Sequence, residues 1–297
     1  MRCHMSPSDE IFSFRRRQRS IEKAVSVAGI GLFTGTKGRV TFEPAPEGTG
    51  ILFRRIDLPG EPAVTASVDH VLDTPRCTVL GDNTFRISTV EHILSALKAY
   101  EIDDVVVAVE GEEVPVCDGS GMAFVDMIRE AGIVSRPGMC EIRRLHAPFF
   151  RSEGDVHLIA LPSEEFRVSY TLNYPDNAFL RAQFFTIRVD AESYTEEIAP
   201  ARTFALHDEV VPLVERGYLA GGNLKNALVV KGDGVLNPED MRYPDEPVRH
   251  KILDLIGDLS LVGKPFHAHV IAIRSGHRSN ILFARDLINH LKSESTL

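Results

Sequence analysis

The pattern of apolar and polar residues changes along the chain from an alternating to a helical period. RVTFEPAP (39–46) and GILFRRID (50–57) alternate the two classes and are broken by Pro and Gly, a pattern that predicts strands in antiparallel hairpins. Helices are predicted over 89–100 and 121–131, with a strand over 104–110 between them. The first half of the chain therefore combines strands with two helices.

The C-terminal part repeats this order. It predicts a helix over 247–262, a strand over 268–274 and a helix over 279–292. Aligned by hand, EHILSALKAYEIDDVVVAV lies over RHKILDLIGDLSLVGKPFHAHVIAI, so that His92 falls on His250. Such internal similarity predicts an α+β fold of two similar halves, each a sheet with helices on one face.

Proline and glycine set the predicted boundaries. The break SRPGMC (135–140) places the domain boundary near residue 138. The predicted parts are a poorly ordered N-terminal extension (1–18), a first domain (19–137) and a second domain (138–297). The second domain opens with an alternating strand, FRVSYTLNY (166–174), and its regular pattern is interrupted over 204–230, which predicts an insertion.

Composition narrows the class of protein. The chain has 297 residues, 43% of them hydrophobic and 25% charged, which is typical of a globular protein with room for two domains. Its net charge of −9 argues against a nucleic-acid partner, because such binders usually present a strongly basic face. Four cysteines without CxxC spacing indicate a reduced, intracellular protein. No apolar run reaches the roughly 18 residues of a membrane span, so we expect a cytoplasmic protein without a transmembrane segment.

One predicted helix carries a polar stripe. His250, Asp254 and Asp258 follow one another at steps of four, which places them on one helix face. An HxxxD pair can hold one metal ion from a single helix, although the same spacing is also common in surface pairs. The internal repeat nominates His92 as a third ligand, and two histidines with one carboxylate leave the open position typical of a catalytic zinc.

Two charged neighbours of these histidines each have two interpretations. Glu91 belongs to Ser88-Thr89-Val90-Glu91, which fits a helix capping box, but it could equally take a proton from water beside a metal. Lys251 could be an ordinary solvated charge, or it could stabilise an oxyanion next to the metal.

Other polar residues are weaker candidates. His277 lies in a loop before a predicted helix, where it is either a surface histidine or part of an active site. Asp258 is either a surface carboxylate or the partner that orients a histidine and favours its protonated form. The glycine-rich segments GIGLFTG (29–35) and AGGN (220–223) lack the spacing of nucleotide-binding loops.

Five segments taken together resemble one known family. They are, in order, ISTVEH (87–92), EVPVCDGSGMAF (113–124), ARTFAL (201–206), VRHKILDLIGDL (248–259) and SGH (275–277). This set is similar to the motifs of the zinc-dependent UDP-3-O-acyl-N-acetylglucosamine deacetylases, which perform the committed step of lipid A synthesis. The resemblance extends from about residue 19 to residue 290, and the combination is highly specific.

The resemblance implies a β-α-α-β sandwich with the site between the two domains. It implies Zn²⁺ as cofactor, and it implies that the insertion over 204–230 forms a passage for the acyl chain. The implied zinc ligands are His92, His250 and Asp254. The implied catalytic residues are Glu91 as general base, Lys251 and Thr203 at the oxyanion, and His277 as acid held by Asp258. The candidates for contact with the substrate are Phe204, Leu206, Leu219 and Leu224.

The implied reaction is hydrolysis of the N-acetyl group of UDP-3-O-acyl-N-acetylglucosamine. We expect a monomer that contacts the membrane, if at all, only through the acyl chain of its substrate. Two alternatives stay open: a zinc amidohydrolase for another acyl amide, and a noncatalytic protein that binds a nucleotide-sugar lipid. The chain departs from the family pattern G-x-G-x-H-x-G at Phe33. Because the ligand set does not include that position, we expect activity to survive.

Overall fold

The structure is a computed structural model that describes residues 13–238 and 241–294. The strands of the first half are β1 (Ser13–Ile21), β2 (Val25–Ile30), β3 (Lys37–Pro44), β4 (Ile51–Arg55), β5 (Ala63–Thr65), β6 (Val71–Asp73), β7 (Val79–Gly81), β8 (Arg86–Ser88) and β9 (Val105–Glu110). Its helices are α1 (Glu91–Ala99) and α2 (Met122–Ala131), with a 3₁₀ turn at Val68–His70. The predicted helices and the predicted strand over 104–110 are thus confirmed to within two residues.

Strand β10 (Ile133–Arg144) leads into the second half. The strands that follow are β11 (Phe149–Glu153), β12 (Val156–Leu161), β13 (Arg167–Leu172), β14 (Gln183–Arg188), β15 (Phe204–Leu206), β16 (Leu228–Lys231), β17 (Gly234–Val235), β18 (Phe266–His267) and β19 (His269–Ile273). The helices are α3 (Ala191–Glu197), α4 (His207–Glu215), α5 (Glu246–Ser260) and α6 (His277–Glu294). None of the helices in these described ranges is long and apolar enough to cross a membrane.

The two halves contain five-stranded sheets of the same topology. The strand order is β2-β3-β9-β4-β5 in the first sheet and β11-β12-β19-β13-β14 in the second. In each sheet the central strand pairs in parallel on one side and antiparallel on the other. Strands β9 and β19 occupy equivalent central positions, and each follows one of the helices aligned through His92 and His250. The predicted duplication is therefore confirmed at the level of topology.

The predicted hairpin between the early strands is wrong. Strands β3 and β4 are not neighbours, because β9 lies between them, antiparallel to β3 and parallel to β4. Alternation in 39–46 and 50–57 correctly indicated strands with one buried face, but it carries no information on the pairing partner. The apolar run VVVAV of β9 suits the centre of the sheet, because four of its five residues are buried.

The first predicted boundary also needs correction. Residues 13–18, expected to belong to a poorly ordered extension, form part of β1, which pairs antiparallel with β10. The guanidinium of Arg16 donates two hydrogen bonds to Asp103, at 2.6 and 3.0 Å, and so ties the strand to the first half. The rest of the predicted extension, residues 1–12, lies outside the described residues. SRPGMC lies within β10, where the register with β1 shifts between Ser135 and Met139, so its Pro and Gly mark a β-bulge.

Helices from both halves form the middle of the molecule. Helix α1 packs on α5, α2 packs on β2, and α5 also contacts β13 and β14, which gives the layer order β-α-α-β. Helix α5 is buried nearly all round, since Ile252, Leu255 and Leu259 have no exposed surface and the polar residues His250, Asp254 and Asp258 are also buried. A helix of this kind is stable only within a core that partners its polar groups.

The contact between α1 and α5 depends on Gly257. A β-carbon at this position would lie 2.1 Å from the backbone oxygen of Glu91 and 2.8 Å from its carbonyl carbon. Because backbone atoms cannot move aside as a flexible side chain can, any larger residue would push the two helices apart.

We therefore predict that Gly257→Ala lowers the free energy of unfolding by about 2 kcal/mol or more, through overpacking of the helix contact. Gly234→Ala is the matched control, because its added β-carbon meets no atom within 4 Å. Urea denaturation of the metal-free proteins measures both effects. Equal stability of Gly257→Ala and the control would contradict the tight helix contact.

Candidate active site

Three side chains converge where α1 crosses α5. The nitrogen and oxygen ligand atoms of His92, His250 and Asp254 lie within 4.8 Å of one another, and all three residues are buried. The two imidazole rings meet edge to face with centroids 5.0 Å apart. His92 follows the first residue of α1, whereas His250 and Asp254 lie one turn apart on α5. The structure thus brings together the three residues predicted as metal ligands.

Both histidines are neutral and therefore able to serve as metal ligands. His250 Nδ1 donates a hydrogen bond to the carbonyl oxygen of Ala201 at 3.0 Å, while its Nε2 lies 3.4 Å from Asp254 Oδ1. This bond fixes the tautomer and leaves the Nε2 lone pair free. Burial lowers the pKa of His250. Burial, followed by the neighbouring His250, lowers the pKa of His92 to about 3.

The carboxylate of this cluster is charged. Burial alone would raise the pKa of Asp254, but Lys251 and the surrounding histidines hold it well below its usual range. Lys251 Nζ donates to Asp254 Oδ2 at 2.8 Å. Burial opposes the charge on Lys251, yet Asp254 raises the pKa of the lysine above its usual range. Lys251 therefore faces the site, and its interpretation as an ordinary solvated charge is wrong.

This donor set suits a zinc ion. Zinc takes imidazole nitrogens and carboxylate oxygens, and catalytic sites commonly use three protein ligands. Two neutral imidazoles and one ionised carboxylate provide three such donors without any proton having to leave at neutral pH. The carbonyl bound to His250 Nδ1 is the kind of outer contact that orients a metal-binding histidine.

Glu91 does not cap its helix. Helix α1 begins at Glu91 itself, the position before it is Val90, and no side chain caps this end. Ser88 belongs to β8 instead, so the capping-box interpretation is wrong. The carboxylate of Glu91 accepts a hydrogen bond from the backbone N–H of Thr78 at 3.0 Å. Burial raises its pKa, the charge of His277 opposes the rise, and the resulting pKa is about 7.

His277 is oriented by Asp258. Its Nδ1 donates to Asp258 Oδ2 at 2.9 Å, and its Nε2 lies 3.9 Å from Asp254 Oδ2. Burial lowers the pKa of His277, but Asp258 and Asp254 outweigh it and raise the pKa to about 9. At neutral pH the ring is therefore a buried cation beside the metal-ligand cluster.

Sequence reasoning missed two residues of this network. The hydroxyl of Thr78 donates to Asp258 Oδ1 at 2.6 Å, and the amide of Asn280 donates to Asp258 Oδ2 at 2.8 Å. Thr78 therefore links Glu91 to Asp258 through its backbone and side chain. No motif spacing marks Thr78, whereas Asn280 lies one helical turn after His277 and could have been suspected from that spacing.

The cluster opens into a cavity of about 620 Å³ between the two halves. Its lining includes Phe33 of the glycine-rich loop, Phe204 and Leu206 of the insertion, and Thr203 just before the insertion. The catalytic candidates Glu91, Lys251 and His277 line it as well. The backbone of Thr203 is fixed by hydrogen bonds to Gly119 and Leu228.

Two predicted contacts are not part of the cavity. Leu219 and Leu224 are absent from its lining, and Leu224 is 43% exposed on the outside of the insertion. An apolar residue in an insertion is therefore not enough to predict that it faces the cavity.

A buried ion pair fixes the segment that carries Thr203. The Nε of Arg202 donates to Glu246 Oε1 at 2.9 Å, and the backbone N–H of Arg202 reaches the same oxygen at 2.9 Å. The backbone N–H of Arg242 donates to Glu246 Oε2 at 2.8 Å. Since Glu246 opens α5, this pair positions Thr203 relative to the helix that bears His250.

Comparison with known proteins decides the family. The model of the family described as UDP-3-O-acyl N-acetylglycosamine deacetylase matches residues 18–289. The chain belongs to this family. A UDP-3-O-acyl-N-acetylglucosamine deacetylase of Chlamydia abortus is 45% identical over 277 residues, which cover 93% of this chain and 99% of the relative. Its counterpart in Chlamydia trachomatis serovar L2 is 43% identical over 282 residues, 95% of this chain and 98% of the relative.

The range matched by the family model includes residues from both sides of the cavity. The matched range contains α1, α5 and the start of α6, and therefore every residue of the cluster around His92 and His277. A further relative, from Chlamydia pneumoniae, is 44% identical over 278 residues, 93% of this chain and 99% of its own length. The site of this deacetylase-family protein thus lies within the range that the family model matches.

We predict that His277 titrates with a pKa near 9 in the metal-free protein. Asp258→Asn should lower this pKa by about one unit or more, because the imidazolium loses its nearest negative partner. Two-dimensional NMR of the histidine ring signals measures the titration. Asp126→Asn, at an exposed carboxylate, is the control and should leave the pKa unchanged. The same pKa in Asp258→Asn would disprove the role of Asp258.

Proposed function

We propose that this protein hydrolyses the N-acetyl group of UDP-3-O-acyl-N-acetylglucosamine. The products would be UDP-3-O-acyl-glucosamine and acetate, in the committed step of lipid A synthesis. Membership of the deacetylase family supports the reaction class. The observation that carries the proposal is that one cavity brings together three side chains able to bind a metal ion with the titratable groups of Glu91 and His277.

Zinc is the proposed cofactor, held by His92, His250 and Asp254. When bound, it supplies Lewis-acid polarisation of the acetyl carbonyl and lowers the pKa of water. The protein contributes the donor set, its orientation through Ala201, and a site largely shielded from solvent. Asp254 also anchors Lys251, so that a cation stays beside the reacting carbonyl.

Glu91 is the proposed general base. A base works best when its pKa lies near the working pH, and the pKa of Glu91 is about 7. Thr78 holds one carboxylate oxygen through its backbone N–H, which leaves the other oxygen available to accept the proton of the attacking water. Attack on the carbonyl carbon generates an oxyanion, and the charged Lys251 and the hydroxyl of Thr203 are the proposed groups that stabilise it.

His277 is the proposed acid. Collapse of the tetrahedral intermediate breaks the C–N bond, and the departing amine needs a proton. His277 is protonated at neutral pH and its Nδ1 is engaged by Asp258, so its Nε2–H is the one free to be donated. Glu91, once protonated, is the other possible donor. In the one-acid scheme Glu91 passes the proton taken from water to the amine. In the two-acid scheme His277 supplies that proton, after which Glu91 releases its proton to solvent and His277 regains one.

The rest of the cavity is proposed to hold the substrate. Phe204 and Leu206 line it beside the insertion and present apolar surface to the acyl chain. Water should be excluded from this part, since burial of apolar surface drives the contact. The cytoplasmic location, the monomeric state and the contact with a membrane through the acyl chain stay predictions.

Two other functions are less well supported. A noncatalytic binding protein would have no need for Glu91, Lys251, Asp258 and His277, yet the structure brings all four to the metal-ligand cluster. A zinc amidohydrolase for a different acyl amide would use the same chemistry. Acetate release from UDP-3-O-acyl-N-acetylglucosamine, compared with release from simple acetamides, distinguishes this alternative.

We predict opposite effects on metal content from two histidine variants. His250→Ala removes a ligand, so it should lose zinc and activity together. His277→Ala should keep about one zinc ion per chain while turnover falls by about 10²- to 10⁴-fold, the usual contribution of a positioned acid. Elemental analysis and an acetate-release assay measure the two quantities. Loss of zinc from His277→Ala would overturn the division of roles.

A further inference from the structure

The glycine-rich loop that follows β2 is wrapped around one buried carboxylate. Glu113 accepts hydrogen bonds from the backbone N–H of Phe33 at 2.9 Å and from that of Thr34, also at 2.9 Å. The hydroxyl of Thr34 donates to the same carboxylate at 2.8 Å. A fourth donor is the hydroxyl of Thr89, at 3.2 Å. Glu113 thus joins the loop to the residue two positions before Glu91.

The Glu113 carboxylate is stabilised by these hydrogen-bond donors and not by a basic side chain. Glu113 is only 2% exposed, and no basic side chain within residues 13–238 or 241–294 forms an ion pair with it. A buried carboxylate is costly unless hydrogen bonds satisfy its oxygens. The backbone of the loop therefore has to keep this shape for the carboxylate to remain buried.

The loop also binds the insertion of the other half. The backbone N–H of Gly221 donates to the oxygen of Leu32 at 3.1 Å, and that of Ala220 donates to the oxygen of Phe33 at 3.3 Å. The side-chain amide of Asn226 donates to Gly221 O at 2.9 Å and stiffens the turn. We call this contact between residues 31–35 and 220–222 the interdomain clasp.

Glycine is required on both sides of the interdomain clasp. A β-carbon on Gly31 would lie 2.3 Å from Glu113 Oε2, and one on Gly221 would lie 2.1 Å from Gly31 O. Gly35 has a φ of +65° and would place a β-carbon 2.7 Å from that of Ala220. The two glycine-rich segments of the sequence, which lack nucleotide-binding spacing, are therefore explained by their contact with each other and with Glu113.

We propose that Glu113 is a positioning residue that sets how tightly the enzyme holds the acyl chain of its substrate. Leu32 and Phe33 line the cavity together with Phe204 and Leu206 of the insertion. These four side chains form an apolar wall of the cavity. By fixing the loop, Glu113 holds Leu32 and Phe33 of this apolar wall at a set distance from Phe204 and Leu206 of the insertion. The inference rests on the proposed deacetylation, since it assigns the wall to the acyl chain of that substrate.

The test compares variants on two substrates. Gly221→Ala opens the interdomain clasp without touching Glu113, and Glu113→Ala removes its anchor. Gly234→Ala, which meets no atom within 4 Å, is the control in the same region. KM and kcat are measured with UDP-3-O-acyl-N-acetylglucosamine and with UDP-N-acetylglucosamine, which lacks the acyl chain. Amide hydrogen exchange at Ala220 and Gly221 reports on the interdomain clasp independently of activity.

We expect Gly221→Ala to raise KM for the acylated substrate about tenfold with little change in kcat, because uniform binding of the acyl chain is lost. In the same variant, KM and kcat for the unacylated substrate should stay unchanged. Glu113→Ala should show the same rise in KM and a lower kcat, since Thr89 is freed as well. Glu113→Gln, which keeps one accepting oxygen, should recover part of both effects. Exchange at Ala220 and Gly221 should accelerate in Glu113→Ala and stay as in the wild type in Gly234→Ala.

Two results would overturn the inference while the proposed function stands. One is an active wild-type enzyme whose Gly221→Ala and Glu113→Ala variants lose affinity equally for both substrates. The other is an unchanged KM for the acylated substrate in both variants despite faster amide exchange at positions 220 and 221. A wild-type enzyme that releases no acetate from either substrate would instead refute the proposed function.

Discussion

The close contact of α1 and α5 at Gly257 is the constraint on which the site depends. Because Gly257 has no side chain, the backbone of Glu91 can lie directly against α5. His92, the next residue, then comes within ligand distance of Asp254 and His250, which lie about one and two turns before Gly257. One small residue thus joins two duplicated halves into a single site, which neither half could form alone.

The same contact concentrates charge in the interior. Asp254, Asp258, Lys251 and the protonated His277 are all removed from most of the solvent, and each is compensated by another member of the group. Burial acts against every charge, but the close opposite charges outweigh it at Asp254, Lys251 and His277. Glu91 lacks such a direct partner, and its pKa is consequently raised to about 7. One network therefore holds two buried cations, Lys251 and His277, beside a carboxyl group whose pKa is about 7.

Local patterns in the sequence predicted the parts of the fold that depend on local physics. Helices α1, α2, α5 and α6 follow from their apolar periods, and the spacing of His250, Asp254 and Asp258 indicated one polar face. The pairing of β3 and β4 with β9 could not be predicted, because alternation defines a face and leaves the partner open. Thr78 and Glu113 were missed because their partners are distant in sequence and no motif joins them. Leu219 and Leu224 were chosen only for their apolar character within the insertion, and that character does not tell which residues line the cavity.

The central claim is that the cluster on α1 and α5 holds a zinc ion that deacetylation requires. The most direct measurement is acetate release from UDP-3-O-acyl-N-acetylglucosamine before and after removal of metal with a chelator, with elemental analysis of the same samples. The account predicts about one zinc ion per chain in the active protein, loss of activity with the metal, and recovery when zinc is added back. Full activity in protein shown to contain no metal would contradict it.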